Sequence, residues 1–270
     1  MLRTSIRHKI ARFVALALVL APVRTGVVAQ SFAPRDATSA GTSDARATSG
    51  YRIAVGERAT YDVELKGHGV GTGSLEVVAR EQVDGFETLH AALKLEGGLL
   101  FAKVNDNLDS WFDPTRFYSR RFEQNNRELT HTRIKKYDIS PERRTVHERV
   151  ANVVDSLSTN EPLDEVSMLF FVRTLPLRVG EVDTIPRYFK AGRDVIVRVV
   201  RLETVTVPAG TFQTIVVQPT ITNAGGLFGE GGKAEVYFTN DANRTLVKMR
   251  SSIPVIGTVG LTLRSLGAAK

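Results

Sequence analysis

The sequence contains no cysteine. The protein therefore has no disulfide bond, no thiolate ligand for a metal, no cysteine nucleophile and no cysteine that could carry the acyl chains of a lipoprotein. Stability has to come from the core alone. A chain of roughly 220 ordered residues can bury about 70% of its unfolded surface, so a single domain without cross-links is expected to be stable.

The motifs of common enzyme and cofactor sites are also missing. No Gly-x-Ser-x-Gly nucleophile elbow occurs, and no Lys-Ser/Thr pair follows the glycines at 67–73 as it would in a phosphate-binding loop. The later histidines lack the HExxH spacing of a zinc site, so we interpret them as surface or turn residues. They are His68, His90, His131 and His147.

A run of amide and carboxylate side chains resembles the opening of a calcium-binding loop. It consists of Asn-Asp-Asn at 105–107 followed by Asp109. Ser110 stands where such a loop needs glycine, and Arg116 stands where it needs a bidentate glutamate. We therefore predict no metal, no cofactor and no catalytic residue.

Positive charge is concentrated at the N-terminus. The formal net charge is +7, from 36 basic and 29 acidic residues. Residues 1–29 hold five of the basic residues and no acidic one, which leaves 31 against 29 in the rest of the chain. A nearly neutral domain lacks the charge excess that favours nucleic acid, so we predict no nucleic-acid partner.

Residues 1–29 have the organisation of a secretory signal peptide. The apolar run at 13–23 is shorter than the roughly 20 residues that span a bilayer, and residues 27–29 are small enough for cleavage before Gln30. The basic residues in front of the run are Arg3, Arg7, Lys9 and Arg12. We predict a periplasmic or secreted protein, cleaved near Ala29, with no transmembrane anchor in the mature chain because no second long apolar stretch follows.

The rest of the chain divides into two parts. Residues 30–50 are rich in Ala, Ser, Thr and Gly and too poor in apolar side chains to offset chain entropy, so we predict a disordered tether. Residues 51–268 alternate apolar and polar side chains in short runs, as at 59–65, with turn signals such as Asp-Gly at 84–85 between them. About twelve strands are expected, which indicates a single β-rich domain.

One segment has helical periodicity instead. Its apolar residues at 163, 166, 169, 170 and 172 share a helix face, and Pro176 prevents continuation, so a short amphipathic helix is predicted over 161–174. It is either an ordinary core-capping helix or a mobile lid over a ligand, with Phe170 as a candidate contact residue. The predicted fold is mainly all-β: a large curved antiparallel sheet or open β-barrel of about ten to fourteen strands, with this helix against its concave side or end.

Glycine occupies every second position from 67 to 73. In a continuous strand all four glycines face the same side of the sheet and leave that side bare of side chains. The bare surface is either packed closely against neighbouring backbone at a bend or forms the floor of a ligand groove. Under the second interpretation Gly69, Gly71 and Gly73 are ligand-binding residues.

A second glycine-rich segment, residues 224–232, places Leu227 and Phe228 between five glycines. These apolar side chains either fold back on the rim of the core, or they close over an apolar ligand or touch a membrane or a partner. We include both as candidate ligand-binding residues, which would act as a gate on the concave side of the curved sheet.

Basic residues cluster around a predicted turn at 139–142. They are Arg133, Lys135, Lys136, Arg143 and Arg144. Lysine and arginine on exposed strands discourage edge pairing, which is one interpretation of the cluster. Attraction to anionic lipid or to an envelope polymer is the other.

Several further local patterns occur along the chain. They are Gly56-Glu57 leading to Tyr61, the glycine-rich second strand, Asp109 to Pro114, Asp164 to Ser167, Val-Pro-Ala-Gly-Thr-Phe at 207–212, and Asp241 to Arg244. Together these patterns resemble one bacterial family, the domain of unknown function 3108. The resemblance covers roughly residues 51–266. It implies an exported, β-rich envelope protein with no established activity, so it provides no functional residues.

Three functions remain open. The leading hypothesis is a noncatalytic module that holds a lipid or another hydrophobic or amphipathic ligand in the curved sheet. The second is a structural or interaction module of the cell envelope that docks a protein partner. The third is a hydrolase of envelope polymers, which would need convergent carboxylates such as Asp106, Asp109 and Glu123. Of these, catalysis has the least support from the sequence.

Overall fold

A computed structural model of the protein describes residues 53–99, 102–128, 132–224, 228–229, 233–253 and 257–267. The predicted signal peptide at 1–29, the predicted tether at 30–50 and Leu227 lie outside the described residues.

The described residues form fourteen β-strands and one α-helix. The strands are β1 Arg58–Leu65, β2 His68–Val83, β3 Phe86–Leu99, β4 Ala102–Phe112, β5 Ser119–Glu128, β6 Thr132–Ser140, β7 Thr145–Glu148, β8 Val153–Ser156, β9 Val182–Ile185, β10 Val195–Val207, β11 Gly210–Ile221, β12 Lys233–Thr239, β13 Leu246–Ile253 and β14 Gly257–Gly267. The helix, α1, is Glu165–Thr174 and lies between β8 and β9 in the chain.

All fourteen strands belong to one antiparallel sheet. Its order is β8-β7-β6-β5-β4-β3-β2-β1-β14-β13-β12-β11-β10-β9. Two meanders of sequential hairpins are therefore joined in the middle by the pairing of β1 with β14. Strands β8 and β9 are the two edges, so the sheet is not closed. The predicted architecture, a large antiparallel sheet of this strand number with one short helix, is confirmed.

The sheet has to be strongly curved. Fourteen strands spaced about 4.8 Å apart would place the edges of a flat sheet roughly 60 Å from each other. Leu163, seven residues after β8, nevertheless pairs with Tyr188, three residues after β9. Ten connecting residues reach at most about 35 Å. The two ends of the sheet are therefore brought together around the core.

Helix α1 packs inside this curve. Its first residue follows Asp164, which caps the helix by accepting hydrogen bonds from the backbone N–H groups of Val166 and Ser167. The helix starts at Glu165, four residues later than predicted, because residues 162–163 form backbone hydrogen bonds with neighbouring segments instead. Its buried residues are Val166, Ser167, Met168, Leu169, Phe170, Val172 and Arg173. This burial supports the core-capping interpretation over a mobile lid.

A buried polar cluster fixes the start of α1 to the sheet. Ser110 of β4 donates a hydrogen bond to Asp164 Oδ2 at 2.5 Å, and the backbone N–H of Asp164 donates to Ser119 Oγ of β5 at 3.0 Å. The hydroxyls of Ser119 and Ser167 are 2.8 Å apart. All four residues are fully buried, so each polar group depends on the others for its hydrogen bonds.

Two aromatic groups fill the space next to this cluster. Phe112 of β4 lies 5.5 Å from Phe170 of α1, measured between ring centroids. On the other side Phe122 and Tyr137 pack against Phe189, at centroid distances of 5.8 and 5.1 Å. The helix and the segment that joins β9 to β10 thus fill much of the interior of the curved sheet.

Strands β8 and β9 were not predicted from the pattern. Each is four residues long, and in β8 all four residues are exposed, so no alternation of apolar and polar side chains identifies it. Pairing with β7 and with β10 defines these edge strands.

The alternating glycines do not share one face. Gly67 lies in the β1–β2 turn with φ of 78°, and a bulge in β2 makes Gly69 pair with Glu64 but Gly71 pair with Val63. Neighbours on β1 face opposite sides, so Gly69 and Gly71 do as well. A Cβ on Gly71 would collide with the backbone of Glu96 and Gly97 on β3. Close backbone packing, the first of the two interpretations, explains Gly71.

We predict that Gly71→Ala lowers the free energy of unfolding by about 1–3 kcal/mol, because the new methyl group has to displace the backbone of β3. Gly69→Ala is the matched control, since a Cβ at Gly69 meets nothing within 4 Å, and its effect should stay within about 0.5 kcal/mol. Urea denaturation measures both. Equal effects of the two substitutions would contradict this explanation.

A pH dependence follows from Asp164. Burial raises the pKa of its carboxyl from 3.8 to about 6. Between these values the folded state binds more protons than the unfolded state, so the free energy of unfolding falls as the pH rises, by at most about 3 kcal/mol. Asp164→Asn keeps a capping side chain and removes the titration. Denaturation curves between pH 4 and pH 7 should therefore show a smaller pH slope in the variant, and equal slopes would count against the assignment.

Candidate functional site

A cavity of about 330 Å³ lies where the first strand, the helix and the β12–β13 turn meet. Its inner wall is formed by buried residues, which are Ala59, Tyr61, Leu75, Phe170, Arg173 and Leu246. Ala59 and Tyr61 alternate along β1, which places both on the concave face. Helix α1 contributes Phe170 and Arg173, so the cavity depends on how the helix is seated.

The inner wall is apolar apart from two polar groups. One of them is the Tyr61 hydroxyl, which donates a hydrogen bond to the carbonyl oxygen of Leu246 at 3.1 Å. Burial raises the pKa of Tyr61 well above its ordinary value, so the hydroxyl stays neutral. This bond connects β1 to the beginning of β13 across the cavity.

The other polar group is the guanidinium of Arg173. Its Nη1 lies 2.6 Å from Glu57 Oε1, and its Nη2 donates to the carbonyl oxygen of Asn243 at 2.9 Å. The Arg173 side chain is 4% exposed and that of Glu57 is 32% exposed. The ion pair therefore extends from the interior towards solvent along one wall of the cavity.

The mouth of the cavity combines apolar and polar groups. Its exposed residues are Ala54, Arg58, Asn243, Leu266 and Gly267. Leu266 is 53% exposed and adds apolar surface to the mouth. An apolar interior with a mixed mouth is suited to a molecule that has an apolar part and a polar part.

The predicted ligand-binding residues separate into different regions. Phe170 lines the cavity. Gly69, Gly71 and Gly73 do not line it, although Gly73 pairs with Tyr61 and is therefore adjacent to the wall.

The predicted gate residues do not line the cavity either. Phe228 is 7% exposed and belongs to the core, and its carbonyl oxygen accepts a hydrogen bond from the N–H of Ile221 at 2.6 Å. Its position agrees with the interpretation that it folds back on the core. Leu227 is outside the described residues.

Sequence reasoning missed the charged pair in the wall. Arg173 stands in the last turn of α1, where basic side chains commonly stabilise the helix dipole in solvent, so nothing in the local pattern indicated burial. Glu57 was noted only as part of the family resemblance. The signal that could have identified Arg173 is its helical position, three residues after Phe170 and on the same side of the helix.

The candidate carboxylates are divided between the two faces of the sheet. Asp106 is 1% exposed and lies on the opposite face of β4 from Asp109. Asp109 and Glu123 are cross-strand neighbours, but Asp109 Oδ1 contacts His90 Nε2 at 2.9 Å and Glu123 Oε2 contacts Lys136 Nζ at 3.1 Å. Among the described residues no group of three or more His, Asp and Glu side chains could hold a metal ion.

His90 belongs to a polar cluster on the outer face. Its ring stacks on Trp111 at a centroid distance of 4.3 Å, and its two nitrogens contact Glu81 and Asp109. Partial burial lowers the pKa of His90, but the hydrogen bonds with Asp109 and Glu81 outweigh burial and raise it overall. His90 is thus a strand residue held between carboxylates, which explains its burial without a metal.

Comparison with known proteins identifies relatives of the whole domain. A model of the protein family of unknown function DUF3108 matches residues 60–264. No curated protein matches the chain. Among the parts of the chain described above, no helix is long and apolar enough to cross a membrane.

Three solved structures are similar to this chain to different degrees, and the first of them shows a shared fold. A beta-barrel-like protein of the domain of unknown function DUF1849 from Brucella abortus is similar with a TM-score of 0.50 and 13% identity, over 80% of this chain and 98% of that chain. A protein from Bacteroides fragilis described as exported, with a YmcC-like fold, has a TM-score of 0.35 and 13% identity over 80% of this chain and 97% of its own. A protein from Parabacteroides distasonis described as a lipoprotein has a TM-score of 0.35 and 12% identity over 81% and 98%. At these identities the likeness concerns the fold alone.

We predict that Glu57→Gln destabilises the protein more than Arg173→Met does. The first variant leaves a buried guanidinium without its anion, whereas the second removes the charge and keeps an apolar stem against Phe170. The expected loss for Glu57→Gln is about 1–3 kcal/mol in the free energy of unfolding. Arg178→Met is the control, because the pair of Arg178 with Glu181 is exposed and its loss should change stability by less than about 1 kcal/mol. Urea denaturation that gave the reverse order for Glu57 and Arg173 would contradict the interpretation of the pair.

Proposed function

We propose that the chain, which belongs to the DUF3108 family, is an exported, noncatalytic module of the cell envelope that binds an amphipathic ligand in the cavity beside α1. The observation that carries the proposal is the cavity itself, with an apolar inner wall and a mouth that is part polar. Export is supported by the signal-peptide organisation of residues 1–29.

The size and lining of the cavity favour a small apolar group. About 330 Å³ is at the lower end of the range of small-molecule sites, which run from about 300 to 1,000 Å³. Tyr61, Leu75 and Leu246 give the inner wall its apolar character, with Phe170 on the side of the helix. A short acyl chain or the end of a longer one satisfies both the volume and the chemistry.

The polar part of the ligand would lie at the mouth. Arg58 and Asn243 are exposed there, and the Arg173–Glu57 pair forms the wall between mouth and interior. Since Arg173 already has a carboxylate partner, the interior offers no unbalanced charge to an ionised head group. A head group that remains in solvent beside Arg58 is therefore favoured over one that is fully buried.

A structural or interaction module is the second candidate. It is favoured by the extent to which α1 and the β9–β10 segment fill the interior, and by exposed valines on the edge strand β8. Val153 and Val154 are 54% and 65% exposed. Exposed edge strands can add a strand from a partner.

Native mass spectrometry of the protein purified from the envelope fraction of its own host distinguishes these functions. A stoichiometric apolar molecule, identified after organic extraction, is expected if the module binds a ligand. A folded protein at the mass of its own chain would favour the interaction module.

We predict that Ala59→Phe weakens binding of decanoate by about tenfold or more, because the added ring occupies the inner part of the cavity. Ala79→Phe is the matched control, since Ala79 is on β2 and does not line the cavity. Isothermal titration calorimetry measures the affinities, and circular dichroism verifies that both variants are folded. Unchanged affinity in folded Ala59→Phe, or no binding by the unaltered protein, would contradict the proposed site.

A further inference from the structure

Several basic side chains on the inner side of the sheet have no carboxylate partner within 4.0 Å among the described residues. Three of them are Lys135 of β6 and Lys190 and Arg193 of the segment that joins β9 to β10. Lys135 is on the same face of β6 as Tyr137, which is 5% exposed and belongs to the core. Two members of the basic cluster seen in the sequence, Arg133 and Lys135, are therefore on the inner face, and of these Arg133 is exposed.

Aromatic rings hold Lys190 in place. Its Nζ lies 5.1 Å from the centroid of the Tyr137 ring and 4.9 Å from that of Phe189. Both rings belong to the core. Cation–π contact stabilises the ammonium group on this wall, and no residue in the described part of the chain accepts a hydrogen bond from its N–H groups.

Unsatisfied hydrogen-bonding groups accompany these cations. Arg193 Nη1 is buried and has no hydrogen-bond partner. Asn126 of β5 is 2% exposed, and neither its amide nitrogen nor its amide oxygen has a partner. Asn126 shares the inner face with Gln124, which is directly opposite Lys135. Leaving such donors unpaired is unfavourable, and an acceptor bound here would satisfy them.

Two carboxylates are near the three cations and offset only part of their positive charge. Glu165 accepts a hydrogen bond from the Tyr188 hydroxyl at 2.7 Å, and its other carboxylate oxygen is buried without a partner. Glu148 accepts from the backbone N–H groups of Val150 and Ala151 at 3.1 and 3.2 Å, and so caps the β7–β8 turn. The local balance remains positive by one charge.

The lowered pKa of Lys190 agrees with an excess of positive charge around it. Burial lowers its pKa to about 8, Glu165 and Glu148 act in the opposite direction, and Lys135 and Arg193 lower it further. A bound anion would relieve the repulsion among the three cations.

We propose that Lys135, Lys190 and Arg193 form a binding site for a phosphate group on the inner face of the sheet. The guanidinium of Arg193 can donate two parallel hydrogen bonds to phosphate oxygens, and the two ammonium groups supply further donors and charge. The phosphate comes either from solution or from the head group of a lipid. None of the three residues lines the cavity beside α1, so this site is separate from the proposed ligand site.

Isothermal titration calorimetry on the complete protein tests the site with two probes, inorganic phosphate and dioctanoyl phosphatidic acid. Binding of both indicates a general phosphate site, and binding of the lipid alone identifies a head group as the source. Either result supports the site if Lys190→Gln and Arg193→Gln each weaken binding by about tenfold or more.

Lys248→Gln is the matched control. Lys248 Nζ also lies over a tyrosine ring, 5.6 Å from the centroid of Tyr237, but on the other face of the sheet. Its substitution should leave binding unchanged. Circular dichroism verifies folding, and Lys135→Gln replaces any variant that does not fold. The proposal is overturned if neither probe binds, or if the folded variants at Lys135, Lys190 and Arg193 bind as tightly as the unaltered protein.

Discussion

The hydrogen bonds through which Asp164 attaches α1 to the sheet are the interaction on which the rest of the structure depends. An open sheet of fourteen strands without disulfides has no covalent means of staying curved. Asp164 and its three serine partners attach the helix to β4 and β5, and the pairing of Leu163 with Tyr188 brings the two ends of the sheet together next to it. Since these groups are buried, each missing bond would expose an unsatisfied donor or acceptor to an apolar interior. The curvature is therefore maintained by a small polar cluster inside a large apolar core.

Much of the fold could be predicted because antiparallel strands with one buried face have a visible period of two. Strands β10 and β13 begin and end where the alternation does. Edge strands such as β8, exposed on both sides, carry no such period. The predicted start of α1, at residue 161, was too early. Pro162 and the polar residues before it resemble a helix start, whereas Asp164 is the residue that accepts hydrogen bonds from the first N–H groups of the helix. Capping is decided by contacts with β4 and β5, which are distant in sequence.

The sites were less accessible to sequence reasoning, for a different physical reason. Phe170 was identified because a large apolar residue on a helical face has to be covered by something. The partners of Arg173 come from residues 57 and 243, so its burial depends on a curvature that no local pattern encodes. Lys190 and Arg193 lie in a segment without periodicity, and only the fold brings them to Lys135. The alternating glycines were predicted to share one face of the sheet. A bulge in β2 places Gly69 on the opposite face from Gly71, so this prediction was wrong.

The pairing of β1 with β14 has a consequence for the order in which the protein assembles. Each meander consists of hairpins between consecutive strands, so each can form from contacts that are close in sequence. The seam between the meanders joins residues as far apart as Arg58 and Gly267. Neither half has its full set of backbone partners until the last strand of the chain is available, and loop closure over such a separation is slow. The sheet of such a chain remains incomplete until β14 has been synthesised.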